Sequence, residues 1–209
     1  THIIKPQSPH FEGLVENEYF CMKLASVVGL DVARVEIGTA DSTRFLQVER
    51  YDRQRLPDKK LVRIHQEDFS QALGVPPELK YQQEGGTNLR KCFDLVREVS
   101  SVPGVYVLSL FDAVVFNVLI GNNDAHGKNF SFLREPDGIR LAPLYDLVCT
   151  SAYPDIANTM AMKIGGEREP ATLTAKHWCE FFEEAGLGRT PAIKRLLSLT
   201  SKIQQFNAA

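Results

Sequence analysis

The sequence predicts an α+β chain of two unequal lobes, a small β-rich lobe followed by a mostly helical one. Up to about residue 64, short runs of β-branched and aromatic residues surround a single helical stretch. From residue 66 onward apolar residues recur mainly at helical spacing. A length of 209 residues is more than one ordinary domain and less than two, which suits a single bilobal unit.

The elements follow in order. Residues 1–5, THIIK, read as a strand, and residues 15–28 as a helix with Val15, Tyr19, Met22 and Val27 near helical spacing and Gly29 at its end. Residues 31–38, 44–51 and 59–64 read as short strands separated by polar and Pro-Asp turns. A short helix is expected over 66–73, a Pro- and Gly-rich loop over 75–87, and helices over 88–99 and 104–120. Two strand-like pieces, 130–133 and 139–141, meet at a Pro-Asp-Gly turn. Helices over 174–185 and 191–206, each preceded by a Thr at the cap position, complete the chain.

Composition narrows the function. A hydrophobic fraction of 44% and a charged fraction of 24% are ordinary for a globular protein and exclude disorder, collagen and repeat arrays. Lys plus Arg number 24 against 26 Asp plus Glu, so nucleic-acid binding driven by net charge is excluded, while a partner that binds DNA is not. The longest apolar stretch, 102–121, carries Pro103, Gly104, Asp112 and Asn117 and reads as a buried helix, not a membrane span. No secretory signal is visible. The cysteines at 21, 92, 149 and 179 lie far apart, which indicates neither zinc nor a disulfide framework and suits a cytoplasmic protein.

Chemistry concentrates in residues 121–130, GNNDAHGKNF, a polar loop between an apolar helix and a strand. Asp124 and Asn129 have the D-x-x-x-x-N spacing of the protein-kinase catalytic loop. There the Asp orients the attacking hydroxyl and the Asn oxygen reaches a magnesium ion, which needs a further hard ligand. Asp146, in LAPLYDLV, supplies it 17 residues after Asn129, beyond a hairpin that returns it to the same cleft. Lys5, closing THIIK, is placed to meet nucleotide phosphates; Glu18 on the next helix reads either as its partner or as one more solvated helix acid, the second being the preferred reading. Residues 45–53, FLQVERYDR, sit where the lobes join and offer a hinge for adenine, with Glu49 and Tyr51 flanking it and Asp52 near a ribose hydroxyl. Taken singly, each feature also fits a plainer role: a solvated turn, a surface lysine, a solvated helix acid, an edge strand ending in a charged turn.

Together and in order, THIIKP, NEYFCMKLA, VERYDR, HQEDFSQALG with KYQQEGG, GNNDAHGKNFS and LAPLYDLV resemble the HipA family of bacterial serine/threonine kinase toxins. The likeness runs from Thr1 to about residue 150 and more loosely to the end. It implies a bilobal protein-kinase-like fold, with residues 1–55 in a small lobe truncated at its N-terminus and 56–209 in a helical lobe. It also implies an ATP- and Mg2+-dependent kinase that modifies a protein substrate of the aminoacyl-tRNA synthetase class and arrests growth, giving persistence. The implied partner is a HipB-type helix-turn-helix antitoxin that alone contacts DNA; no membrane is involved. By the same resemblance Asp124 is the catalytic base, Asn129 and Asp146 hold magnesium, and Lys5 contacts the phosphates. Glu49 and Tyr51 serve the adenine, and His126 and Lys128 lie near the phosphates. The family's phosphate-covering loop and regulatory serine lie upstream of the lysine strand, so Thr1 is expected to follow an omitted segment. Two alternatives remain open: a catalytically silent module that engages an antitoxin, and a small-molecule phosphotransferase of the aminoglycoside-kinase type.

Overall fold

The computed structural model describes residues 1–207. The small lobe is an antiparallel sheet of β1 (His2–Pro6), β2 (Val35–Ala40) and β3 (Thr43–Glu49) in the order β1-β3-β2, with helix α1 (Leu14–Val27) packed on it. Alternation in β3 sends Leu46 and Val48 into the core, where α1 contributes Val15, Met22 and Leu24. Val27, expected on the buried face, is exposed because it lies about 120° around the helix from Val15. Val28, at the helix cap, is the buried residue instead. Register places Lys5 opposite Leu46 and His2 opposite Glu49.

The segment 45–53 is not one strand. β3 is the central strand and stops at Glu49, and a turn at 50–52 leads into a hairpin of β4 (Arg53–Arg55) and β5 (Leu61–Arg63). That turn is held by Asp52, which is only 4% exposed. Its carboxylate accepts from Arg50 at 2.9 and 2.7 Å and from Arg53 at 2.5 Å. Asp52 is therefore committed to two neighbouring arginines and is not presented to a ribose.

Residues 65–68 also differ from expectation. His65–Asp68 form strand β6, paired with β7 (Ser131–Glu135), which pairs with β8 (Gly138–Leu141) through the expected Pro-Asp-Gly turn. The short helix α2 begins only at Phe69 and ends at Ala72. The boundary is set by a capping box: Gln71 N donates to Asp68 Oδ1 at 2.8 Å, and Asp68 N donates to Gln71 Oε1 at 3.0 Å.

The remaining helices are α3 (Leu89–Val99), α4 (Pro103–Leu119), α5 (Ala175–Glu184) and α6 (Arg189–Asn207). Asn88 and Thr174 are the N-cap residues of α3 and α5; the Thr cap is the one the sequence predicts. Thr190 does not cap α6, because that helix already begins at Arg189 and takes Pro191 into its first turn, where no intrahelical donor is lost. The core between these helices is aromatic: Phe93, Phe111, Phe181 and Phe182 are buried, and Phe111 stacks on Phe181 with centroids 5.4 Å apart. Burying each such ring contributes about 1.5–3 kcal/mol. Arg195 of α6 grips Asp112 of α4 at 2.5 and 2.7 Å, so the charge inside the apolar stretch has a partner. Among the described residues no helix is long and apolar enough to cross a membrane.

A backbone seam joins the small sheet to the segment carrying Asp146. Ala33 N donates to Leu144 O at 2.9 Å and Leu144 N donates to Asp31 O at 2.8 Å. The residue two places before Asp146 is thus fixed to the turn before β2.

The Asp52 cluster has an acid signature. Hydrogen bonds from Arg50, above all, hold its carboxyl below the ordinary range against the opposing effect of burial, and Arg53 adds to them. A depressed folded pKa gives stability that is present above about pH 4 and lost as pH falls through the folded value. Asp52→Asn is expected to lower stability at pH 7 by about 1–3 kcal/mol and to flatten the pH dependence below pH 4. Urea unfolding from pH 2 to 7 measures both; parallel curves for the two proteins would remove Asp52 from the acid response.

Candidate active site

The site is assembled around Lys5. Its Nζ donates to Glu18 Oε1 at 2.6 Å and to Asp146 Oδ1 at 2.7 Å, linking the edge strand, α1 and the segment after β8. Asp146 is in turn met on Oδ2 by Asn129 Nδ2 at 3.0 Å. Lys5, Glu18, Asn129 and Asp146 therefore form one continuous polar chain. Burial alone would lower the Lys5 pKa, but the carboxylates of Asp146 and Glu18 outweigh it and hold the ammonium above its ordinary value. Glu18 is buried, and desolvation raises its pKa with Lys5 opposing. Asp146 has φ 59°, a left-handed conformation that Asp tolerates better than most residues.

The loop before Asn129 is rigid because its other asparagines are structural. Asn122 donates to Asn117 Oδ1 at 2.7 Å and accepts from Asp124 N at 3.2 Å, while Asn117 donates to Ala113 O of α4. Asn123 N donates to Thr150 Oγ1 at 2.8 Å, and its side chain donates to Asn158 Oδ1 at 2.7 Å. Asp124 is left half-exposed, accepting on Oδ1 from the Tyr81 hydroxyl at 3.0 Å. The loop's far end is pinned by Tyr145, whose hydroxyl donates to Lys128 O at 2.6 Å and lies 2.6 Å from Ser131 Oγ.

The other expected residues are spread more widely. His126 is buried with Nε2 4.0 Å from Asp124 Oδ2; burial lowers its pKa, and its Nδ1 is the one buried side-chain polar atom without a hydrogen bond among the described residues. The Lys128 ammonium turns away from the cluster and donates to Pro77 O. Tyr51 is half-buried, its ring 6.1 Å from that of Tyr145, beside the Asp146 segment. Glu49 is exposed at the end of β3, its carboxylate 4.0 Å from Arg34. The structure brings together Lys5, Glu18, Asn129 and Asp146, places Asp124 on the same loop, and leaves Glu49, Asp52 and the Lys128 ammonium outside the chain of contacts.

Magnesium fits this donor set. Asp146 and Asn129 carry hard oxygens on touching side chains, and the Asp146 side chain is 47% exposed, open to a further ligand. The Asn129 amide now sends Nδ2 to Asp146 while Oδ1 accepts from His126 N at 3.1 Å, so coordination requires the amide to turn about its broad terminal torsion. No group of three or more His, Cys, Asp or Glu among the described residues could hold a metal by itself. A cation here would need phosphate or water oxygens as well.

Residues 1–206 match the HipA-like C-terminal domain. Y4mE of Sinorhizobium fredii, a kinase by name, is 52% identical over 198 residues, covering 95% of this chain and 47% of that protein. The serine/threonine-protein kinase toxin HipA of Shewanella oneidensis is 35% identical over 217 residues, covering 98% of this chain and 49% of that protein. Among solved structures, a Shewanella oneidensis complex of HipA, HipB and operator DNA superposes with a TM-score of 0.90 at 34% identity, over 98% of this chain and 50% of that one. The Helicobacter pylori proinflammatory kinase CtkA shares the fold, with a TM-score of 0.62 at 15% identity over 98% of this chain and 85% of that one. Fold and site define a kinase-like α+β protein. The chain belongs to the HipA-like C-terminal domain family. It spans about half the length of the curated relatives it matches.

A second fastening ties α1 to the Asp146 segment, and sequence reasoning did not assign it. Asn17, next to Glu18, accepts from Cys149 N at 2.8 Å and donates to Cys149 O at 3.0 Å, closing both backbone groups with one amide. The same nitrogen lies 3.3 Å from the Tyr153 hydroxyl. Asn17→Leu keeps the size and leaves these groups unpaired, so stability should fall by about 1–3 kcal/mol. Urea unfolding measures it; an unchanged midpoint would show that the clamp carries no stability.

Proposed function

We propose that this chain is the catalytic region of an ATP- and Mg2+-dependent serine/threonine protein kinase, the toxin of a HipA/HipB-type module. The observation that carries the proposal is the contact chain Lys5, Asp146, Asn129 with Asp124 five residues before Asn129 on a loop that the structure makes rigid. Lys5 would exchange its carboxylate contacts for nucleotide phosphates while Glu18 keeps it oriented. Asn129 and Asp146 would hold the magnesium, which supplies charge neutralisation on the phosphates. Asp124 would accept the proton of the acceptor hydroxyl as its oxygen bonds to the γ-phosphorus and the bond to the ADP oxygen breaks. The backbone at 49–51 and the Tyr51 ring would meet the adenine, with His126 shaping the loop from behind, and the lobes would divide near residue 55.

The partner assigned here is a small HipB-type helix-turn-helix antitoxin, with DNA reached only through it. Support comes from the Shewanella oneidensis complex, which holds HipA, HipB and operator DNA together, and from a formal charge of -2, which does not favour DNA binding driven by net charge. The protein substrate proposed is of the aminoacyl-tRNA synthetase class, in the cytoplasm, and its modification would arrest growth.

The test is phosphate transfer from labelled ATP to purified aminoacyl-tRNA synthetases by the full-length protein. Asp124→Asn is nearly isosteric and should reduce transfer by about 10²–10⁴-fold with little change in melting temperature. Transfer at the wild-type rate would remove Asp124 from the base role. A wild-type protein that transfers to none of them would instead favour the silent, antitoxin-binding module.

A further inference from the structure

The KYQQEGG segment, singled out by sequence but given no task, is built to present one residue. Gln82 N donates to Ala161 O at 3.0 Å, and Gln82 Oε1 accepts from Lys163 N at 2.9 Å. Gln83 Oε1 accepts from Arg168 at 2.5 Å. Gly85 turns through φ 99°, and a Cβ on Gly86 would lie 2.8 Å from the carbonyl oxygens of Lys80 and Tyr81, so the loop folds tightly on itself. Ala161 N donates in turn to Asn123 O at 2.7 Å, which locks the docked loop to the residue before Asp124. What the loop presents is Tyr81, with its hydroxyl on Asp124 Oδ1.

Behind that contact lies a cavity of about 200 Å3. Tyr81, Glu84 and Asp124 form its polar wall, and Ile156, Ala157 and Met160 form its apolar side. Asp124 lines this cavity while Lys5, Asn129 and Asp146 do not, so the space for an acceptor is distinct from the groups assigned to the phosphates and the two meet at Asp124. A hydroxyl that gives its proton to Asp124 must come within about 2.6–3.2 Å of a carboxylate oxygen, and this cavity supplies the room for it. With Oδ1 engaged by Tyr81, Oδ2 is the oxygen left to accept. Burial first, and Asp124 second, raise the Tyr81 pKa, so its hydroxyl stays a donor.

We propose that this cavity is the acceptor subsite, taking a serine or threonine with an aliphatic neighbour and rejecting acidic neighbours, and that Tyr81 is the positioning residue of Asp124. The proposal rests on the kinase function above. Two carboxylates in the lining, Asp124 and Glu84, repel an acidic flank, while Ile156 and Met160 offer contact to an aliphatic one.

The experiment uses the full-length protein, labelled Mg-ATP and matched serine peptides with Leu or Glu beside the serine. Leu-flanked peptides should be labelled about tenfold faster. Ala157 is exposed, so Ala157→Trp should fold normally, keep its Mg-ATP affinity by calorimetry and raise the peptide KM about tenfold by filling the cavity. Tyr81→Phe should lower kcat about tenfold with the peptide KM unchanged. Equal labelling of the two sets, an unchanged peptide KM in Ala157→Trp, an unchanged kcat in Tyr81→Phe, or a wild-type protein that binds Mg-ATP and labels no peptide would each overturn it. Asp124→Asn and the wild type separate the levels: if Asp124→Asn is inactive while Ala157→Trp behaves as wild type, the subsite alone fails; if Asp124→Asn transfers normally, the base role of Asp124 fails and the subsite argued from it fails too; and if the wild type transfers phosphate to nothing, the kinase function fails.

Discussion

One ammonium group organises this protein. Lys5 sits between Glu18 and Asp146, and its three elements have no reason in local sequence to converge: an edge strand near the start of the chain, a helix, and an irregular segment 141 residues away. Glu18 is buried, and a buried carboxylate without a cation would be costly in its charged form. Lys5 relieves that cost, and Asp146 is drawn to the same charge. The sign of the Lys5 shift means that its contribution is present at neutral pH and is lost only as pH rises through its elevated folded value.

Convergence at Lys5 would be loose without a second set of fastenings that act on backbone. The Ala33 and Leu144 seam, the Asn17 amide on Cys149 and the Tyr145 hydroxyl on Lys128 O reach the Asp146 segment from before, behind and beside it. Each satisfies groups that irregular chain would otherwise leave unpaired. Asp146 can then hold φ 59°, a conformation that costs a non-glycine residue on the order of 1–3 kcal/mol unless its surroundings dictate it. Exposed carboxylate, rigid backbone and adjacent cation are what a nucleotide site requires before any nucleotide arrives.

The parts legible in the sequence were those whose chemistry is local or whose spacing is fixed. Asp124, Asn129 and Asp146 stand at the intervals of the kinase-like pattern, Lys5 closes a strand as that pattern asks, and the hairpin returning Asp146 to Asn129 is announced by its Pro-Asp-Gly turn; Glu18, which reads as readily as a solvated helix acid, is assigned only by its contact with Lys5. Helix α5 is readable from its Thr cap and α3 from its apolar spacing. Less legible were features decided by distant partners. His65–Asp68 are extended because β7, 65 or so residues later, pairs with them. Asp52 is taken up by Arg50 and Arg53, and the Lys128 ammonium by Pro77 O, through side-chain directions that spacing alone does not give. Asn17 and Tyr81 lie inside the NEYFCMKLA and KYQQEGG motifs, yet their partners stand 132 and 43 residues away, and no periodicity encodes such pairings.

We propose that Asp146, held by Lys5 and Asn129, is the metal ligand of a nucleotide site. Calorimetric titration of ATP into the full-length protein, with and without Mg2+, measures it most directly. In the wild type Mg2+ should tighten ATP by about tenfold or more, and Asp146→Ala should abolish that gain while leaving the metal-free affinity nearly unchanged. A magnesium effect of equal size in the two proteins would contradict it.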